Sequence, residues 1–243
     1  VIDASAENIT VLADVSAIEE TGEQTIYTSI ILPYGNLEII NQNPSVLTVE
    51  VDNLVTVEKE IEVRTEGEPK ADFVIGSATV SPTSVQLKGP KSILDGVASV
   101  AANIDIDEKD ADIETVVPLK IYGSSGKEIK SDYISADVTE AEVRCEILKT
   151  KLIDVQPYFD SADLEAADEY RLDTGSMKQI KIAGPKDLID TLSAIKTKPI
   201  SIADISENGE ATVELDLPTG VRSLEGSSFT FRFIRQNLTQ ENA

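Results

Sequence analysis

Apolar and polar residues alternate along most of this chain. Val46-Leu47-Thr48-Val49-Glu50-Val51, Val85-Gln86-Leu87, Val143 to Ile147, Ile180-Lys181-Ile182, Val213-Glu214-Leu215-Asp216-Leu217 and Phe229-Thr230-Phe231-Arg232-Phe233 all follow this period-two pattern. It marks strands with one buried face. The fold is therefore expected to be mainly β. A second spacing breaks in twice. Ile93, Val97 and Val100 follow Gly89-Pro90 at i, i+4 and i+7, and Leu188, Leu192 and Ile195 follow Gly184-Pro185 in the same way. That spacing predicts a short helix whose apolar stripe packs on a sheet. Proline suits its first position, where φ is preset and the missing N–H would have no partner. Gly96 weakens the first of these helices, where the second has Thr191.

The two helix signals belong to a longer repetition. Gly89-Pro90-Lys91-Ser92-Ile93-Leu94 returns as Gly184-Pro185-Lys186-Asp187-Leu188-Ile189, 95 residues on (89 to 184), with matching apolar positions on both sides. Such a period indicates tandem small domains, since solenoid repeats run to roughly 20–50 residues. A fainter copy precedes both: Thr25-Ile26-Tyr27 through Val49 to Leu54 resembles Thr115-Val116-Val117 through Val143 to Leu148. No Gly-Pro turn lies upstream of it, so it reads as the rear half of a repeat, and the chain, opening on Val, as an excised fragment. The expected division is a partial repeat at 1–57, full repeats at 58–149 and 150–236, and a polar tail at 237–243, with Lys149-Thr150-Lys151 as a short connection. Gly123-Ser124-Ser125-Gly126-Lys127 and Pro218-Thr219-Gly220 read as turns in comparable places. Ser161 to Glu169 reads as a helix-prone insertion at the surface.

Charge narrows the partners. The chain carries 21 Lys and Arg against 44 Asp and Glu, a net charge of −23. This field repels phosphate backbones and anionic headgroups, so neither nucleic-acid binding nor polybasic membrane docking is expected. No apolar run reaches the ~20 residues that cross a bilayer, so this stretch is not expected to insert into one. Aromatic content of 5%, with no Trp, predicts an aliphatic core.

Candidate chemistry is sparse. There is no His and one Cys, so the common nucleophile–base pairs and zinc ligand sets are missing. Cys145 shares its face with Val143 and Ile147, and Val51 takes its place in the first repeat, which makes it a small buried hydrophobe. Asp105, Asp107, Asp110 and Asp112 form the densest acidic run. It lacks the central Gly and closing Glu of a helix–loop–helix calcium site, and Lys109 interrupts it, so it reads as a solvated turn. Gly89-Pro90-Lys91 and Gly184-Pro185-Lys186 read as strand-to-helix corners, because one glycine is not a phosphate loop and Pro lacks a donor. No catalytic residue, metal or cofactor is expected. The residues singled out are structural: Pro82, Gly89, Pro90, Gly184 and Pro185.

The string Pro82, Val85, Leu87, Gly89-Pro90, Ile93, Val97 and Val100, followed by Ile104-Asp105-Ile106 and repeated once, resembles the YbbR domain family. Ala13-Asp14-Val15-Ser16 stands where the family has an Asp-containing strand end. In the last repeat Met177 replaces the usual Pro, and Ala203-Asp204-Ile205 is displaced relative to Asp105. The resemblance implies small β-rich domains with a short helix. It also implies a bacterial parent protein held by an N-terminal transmembrane helix, with these domains on the extracytoplasmic side. Its further implication is regulation, by contact, of a membrane diadenylate cyclase that makes cyclic di-AMP, and it brings no catalytic residues. The alternatives from other classes are a structural spacer or a surface module, with a cell-wall or surface partner, that does not signal. An RNA-binding role, by analogy with a similar ribosomal-protein domain, is opposed by the charge.

Overall fold

The computed structural model describes residues 9–16, 18–33, 35, 37–160, 169–176 and 178–235. Strands dominate it, and each alternating segment named above lies in one, except that Leu217 falls one residue past a strand end. The fold is mainly β. Two compact units partition the chain: the first holds residues 1–61, 83–101 and 120–139, the second 62–82, 102–119 and 140–243.

In the first unit β1 (Thr10–Ala13), β2 (Gly22–Ile31) and β3 (Val46–Val51) form an antiparallel sheet with β2 in the centre. Ile26 is its one buried side chain among the described residues, while Val49 and Val51 are half-buried. The same unit holds the front of β4 (Leu54–Glu66), which pairs antiparallel with β6 (Ser84–Pro90) from Leu54↔Pro90 to Glu60↔Ser84. β6 pairs in turn with the two-residue β9 (Ser135–Ala136), Leu87 opposite Ala136. Val85, Leu87, Leu94, Val97 and Val100 are buried here, the aliphatic core that the composition predicts.

In the second unit the organising element is β10 (Glu140–Phe159), 20 residues without a break. Its first half lies between β5 (Phe73–Ser81) and β8 (Ile113–Gly123), antiparallel to both. Its second half lies between β12 (Lys178–Gly184), antiparallel, and β13 (Ala194–Ile200), parallel. β14 (Glu210–Asp216) pairs with β13 and with β16 (Ser228–Arg235), and β16 with β11 (Tyr170–Leu172). β12 pairs with β15 (Arg222–Ser223), Ile182 opposite Ser223, as Leu87 is opposite Ala136. The core includes Ile180, Ile182, Ile189, Ile195 and Ile200, and also Phe231 and Phe233, so here the predicted aliphatic packing is joined by rings. Phe159 and Phe233 meet edge to face with centroids 5.3 Å apart.

Positions 57 and 149, where the sequence places repeat junctions, lie within continuous strands, β4 and β10. Two readings of the sequence need amending. The helical stripe is a coincidence of spacing. Helix α1 is four residues, Lys91–Leu94, and Val97 and Val100 belong to strand β7 (Val97–Asp105). Helix α2 is Lys186–Thr191; Leu192 is already extended and Ile195 lies in β13. A single turn cannot carry an i+7 position, and the β-branched residues that follow take up strand pairing instead. The buried helical side chains are Leu94 and Ile189. Finally, Pro90 and Pro185 precede their helices as caps with extended ψ of 135° and 133° rather than occupying the first turn. Ser161 to Asp168, Met177 and the tail at 237–243 lie outside the described residues.

Candidate functional site

Each Gly-Pro corner is built by close approach. A Cβ on Gly89 would sit 2.8 Å from the Tyr133 carbonyl oxygen, and one on Gly184 3.1 Å from the Gly220 oxygen. At Gly89 only glycine lets the neighbouring backbone pass, while at Gly184 the approach is tight. Pro90 then directs the chain into α1, whose first donors are satisfied from the preceding segment. The Lys91 N–H donates to the Asn53 carbonyl and the Ser92 N–H to the Asp52 carboxylate, both at 2.8 Å. Hydrogen bonds from Ser92 hold the Asp52 carboxyl below the usual carboxylate range. Pro185 closes α2 differently: its carbonyl accepts from the N–H groups of Leu188 and Ile189. Pro82 lies in the short link between β5 and β6. These five residues thus lie in corners and links.

The second corner does meet the acidic run. Asp110, Asp112, Glu146, Leu148, Pro185 and Lys186 contribute to the wall of a cleft of about 360 Å³. Three of its acids, Asp110, Asp112 and Glu146, are already engaged. Asp110 accepts from Lys70 at 2.8 Å, an ion pair that lowers its pKa and raises that of Lys70. Asp112 accepts the Ile147 N–H at 2.8 Å, and the Asp105 carboxylate accepts the Asp107 N–H at 2.8 Å. Asp105, Asp110 and Asp112 thus hold separate partners, and Asp107 enters through its backbone N–H. Among the described residues no group of three or more His, Cys, Asp or Glu side chains is placed to hold a metal ion.

A second concave surface lies on the outward face of β5, β10 and β8. Arg144 stands at its centre, between Glu142 at 2.9 Å and Glu114 at 3.0 Å, and both pairings raise its pKa. A cavity of about 340 Å³ adjoins it, with Ser77, Asp112 and Glu146 in its wall. The Glu146 carboxylate accepts the Ser77 N–H at 3.1 Å, and hydrogen bonds from Ser77 lower its pKa. Cys145 borders this region from the buried side. It is 1% exposed, and desolvation, reinforced by Asp112, raises its thiol pKa. A desolvated thiol beside carboxylates is a poor nucleophile, in keeping with its reading as a small core residue. Sequence reasoning missed this face, because alternation within single strands does not reveal which strands become neighbours.

These features define a mainly β protein whose marked residues build corners and whose concave surfaces are acidic and internally paired. Residues 55–143, the stretch that holds Pro82, Gly89 and Pro90, match the family model of YbbR-like proteins. Over 199 residues the chain is 23% identical to a protein named CdaA regulatory protein CdaR from Bacillus subtilis (strain 168), covering 79% of this chain and 39% of that one. The chain thus spans about two fifths of that relative's length. Two solved structures are also similar. A crystal structure of a YbbR-like protein from Streptococcus pneumoniae TIGR4 is 16% identical, covers 60% of this chain and 73% of its own, and has a TM-score of 0.36. The solution structure of SuR18C from Streptococcus thermophilus is 12% identical, covers 40% of this chain and 86% of its own, and has a TM-score of 0.31. Among the described residues no helix is long and apolar enough to cross a membrane.

Proposed function

We propose that this chain is a noncatalytic stretch of YbbR-like repeats in a membrane-tethered bacterial protein, and that it regulates a membrane diadenylate cyclase by protein contact. The observation that carries this reading is the similarity to a protein named as a regulator of CdaA. The repeats are 1–57, 58–149 and 150–236, with Pro82, Gly89, Pro90, Gly184 and Pro185 as their structural markers. The anchor is an N-terminal transmembrane helix of the parent protein, and the repeats stand on the extracytoplasmic face. Regulation by contact suits a surface on which Asp110, Glu114 and Glu142 are held in ion pairs and Asp112 and Glu146 anchor backbone N–H groups. Purification of the chain with the detergent-solubilised cyclase tests it: co-elution at equimolar protein is expected, and separate elution at every salt concentration contradicts it.

One observation favours a second reading, that of a spacer. Strand β10 runs unbroken from Glu140 to Phe159, about 65 Å if fully extended, and a continuous strand through a repeat junction stiffens it. Shortening or lengthening the array separates the two readings, since a spacer tolerates replacement by unrelated domains of equal length and a contact regulator does not.

A further inference from the structure

Among the described residues strand β5 is hydrogen-bonded to another strand along one side only, to β10. Its nine residues, Phe73-Val74-Ile75-Gly76-Ser77-Ala78-Thr79-Val80-Ser81, include no charge and no proline. Edge strands that stay unpaired usually carry Lys or Pro, or lie under a loop. The first half of β5 is protected in that sense. Arg222 donates to the Ile75 carbonyl at 2.7 Å, and Gly76 and Ser77 form a bulge opposite Glu146, whose carboxylate accepts the Ser77 N–H. Beyond the bulge protection stops: Ser77, Ala78, Thr79 and Ser81 are exposed. Among the described residues the corresponding partner of β16 is β11, only three residues long, so an edge of this length occurs once there.

The surface beside the open edge is shaped and charged. Thr79 lies opposite Arg144 and Ser81 opposite Glu142, so short side chains on β5 stand beside long ones on β10 and leave a trough of about 260 Å³. Around this trough and the adjoining cavity stand Glu142, Glu146, Glu114 and Asp112 against two cations, Arg144, which Glu142 and Glu114 already engage, and Arg222, which reaches the Ile75 carbonyl and acts on Glu146. A strand added to β5 would lie about 10 Å from β10, within the combined reach of extended Lys and Glu side chains passing over Thr79 and Ser81.

We propose that residues 77–81 of β5 form a strand-addition site for an extended segment of another protein that carries Lys or Arg at alternate positions. Backbone pairing along the edge supplies affinity, and the acidic trough selects the cationic side chains on one face of the incoming strand. A second copy of this chain is a poor occupant, because edge-to-edge pairing would bring two acidic faces and two chains of net charge −23 together. The site goes beyond the regulatory reading above and stands or falls independently of it.

Amide hydrogen exchange on the 243-residue chain tests this. The probe is a peptide of about eight residues alternating Lys and Val. Two comparison peptides accompany it, one with Glu in place of Lys and one with the Lys–Val sequence N-methylated at alternate amides. The expected result is exchange at residues 77–81 slowed by at least about threefold with the Lys–Val peptide alone, and less in Glu142→Gln. Four results would overturn the proposal: no slowing, equal slowing with either comparison peptide, unchanged slowing in Glu142→Gln, or a concentration-dependent dimer that already protects β5 without peptide.

Discussion

The Lys151 ammonium donates to the carbonyl of Leu192 at 2.5 Å, just past the C-terminus of α2. Lys59 donates to the carbonyl of Val97 at 3.0 Å, at the start of β7 and three residues beyond α1. Val97 and Leu192 occupy the same place in the 95-residue repetition (97 to 192), so the device recurs although the lysines are not aligned. A cation at a helix C-terminus satisfies carbonyls left without intrahelical donors and complements the helix dipole. Lys151 also approaches the Ile189 carbonyl at 3.4 Å.

Lys151→Met, which keeps the apolar stem and removes the charge, is therefore expected to lower stability by about 1–2 kcal/mol. Lys59→Met should act in the same direction. Urea denaturation monitored by circular dichroism reads both, and unchanged midpoints would contradict the capping role of Lys151 and the anchoring of Val97 by Lys59.

Gly89 and Gly184 should differ in tolerance. A Cβ at position 89 would meet the Tyr133 carbonyl at 2.8 Å, a contact with backbone that cannot swing aside, whereas at 184 the nearest atoms are at 3.1 Å. Gly89→Ala is expected to cost about 1–3 kcal/mol, and Gly184→Ala less. Equal midpoints for Gly89→Ala and the parent chain would show that the corner relaxes freely.

Acid should unfold the chain through specific carboxylates. Asp52, Glu146 and Asp190 are held below the usual carboxylate range by Ser92, Ser77 and Lys149 respectively. A carboxyl whose folded pKa is depressed contributes stability that is present above its unfolded pKa and is lost as pH falls through the folded one. Lys70 and Lys198 are shifted the other way by Asp110 and Glu214, so their contribution is lost only as pH rises through their folded values. With no His in the chain, the urea midpoint is expected to stay flat between about pH 8 and about pH 5 and to fall below about pH 4. Asp52→Asn should make that fall shallower. A decline between pH 7 and pH 5, or an identical acid limb in the variant, would be the contrary result.

Cys145 gives a direct probe of the core. Its burial and raised thiol pKa predict that a disulfide reagent labels the native chain only as fast as it opens. Labelling rates should rise with urea in step with unfolding. Rapid modification in native buffer would show that the face of β10 bearing Val143, Cys145 and Ile147 is not sealed.

Much of this architecture is written in period-two alternation, because half-buried strands must alternate whatever their partners. Val46–Val51 became β3, with the same bounds, and the paired Gly-Pro turns located both corners. The helical stripe misled for a physical reason. Ile93 belongs to a one-turn helix and Val97 and Val100 to a strand, and their spacing imitates a longer helix because both elements bury a residue every few positions. Lys149-Thr150-Lys151 reads as a polar connection, yet it is mid-strand. Lys149 pairs with Asp190, Lys151 caps α2, and Thr150 is 4% exposed. The face around Arg144 was illegible because it is assembled from β5, β8 and β10, whose adjacency is a matter of register rather than local pattern.

The most direct test of the regulatory reading is cyclic di-AMP output from the cognate membrane cyclase, co-expressed with its tethered partner either intact or lacking these repeats. At equal cyclase abundance, removal of the repeats is expected to change the output. Unchanged output would contradict a regulatory role for this region and leave it as a spacer.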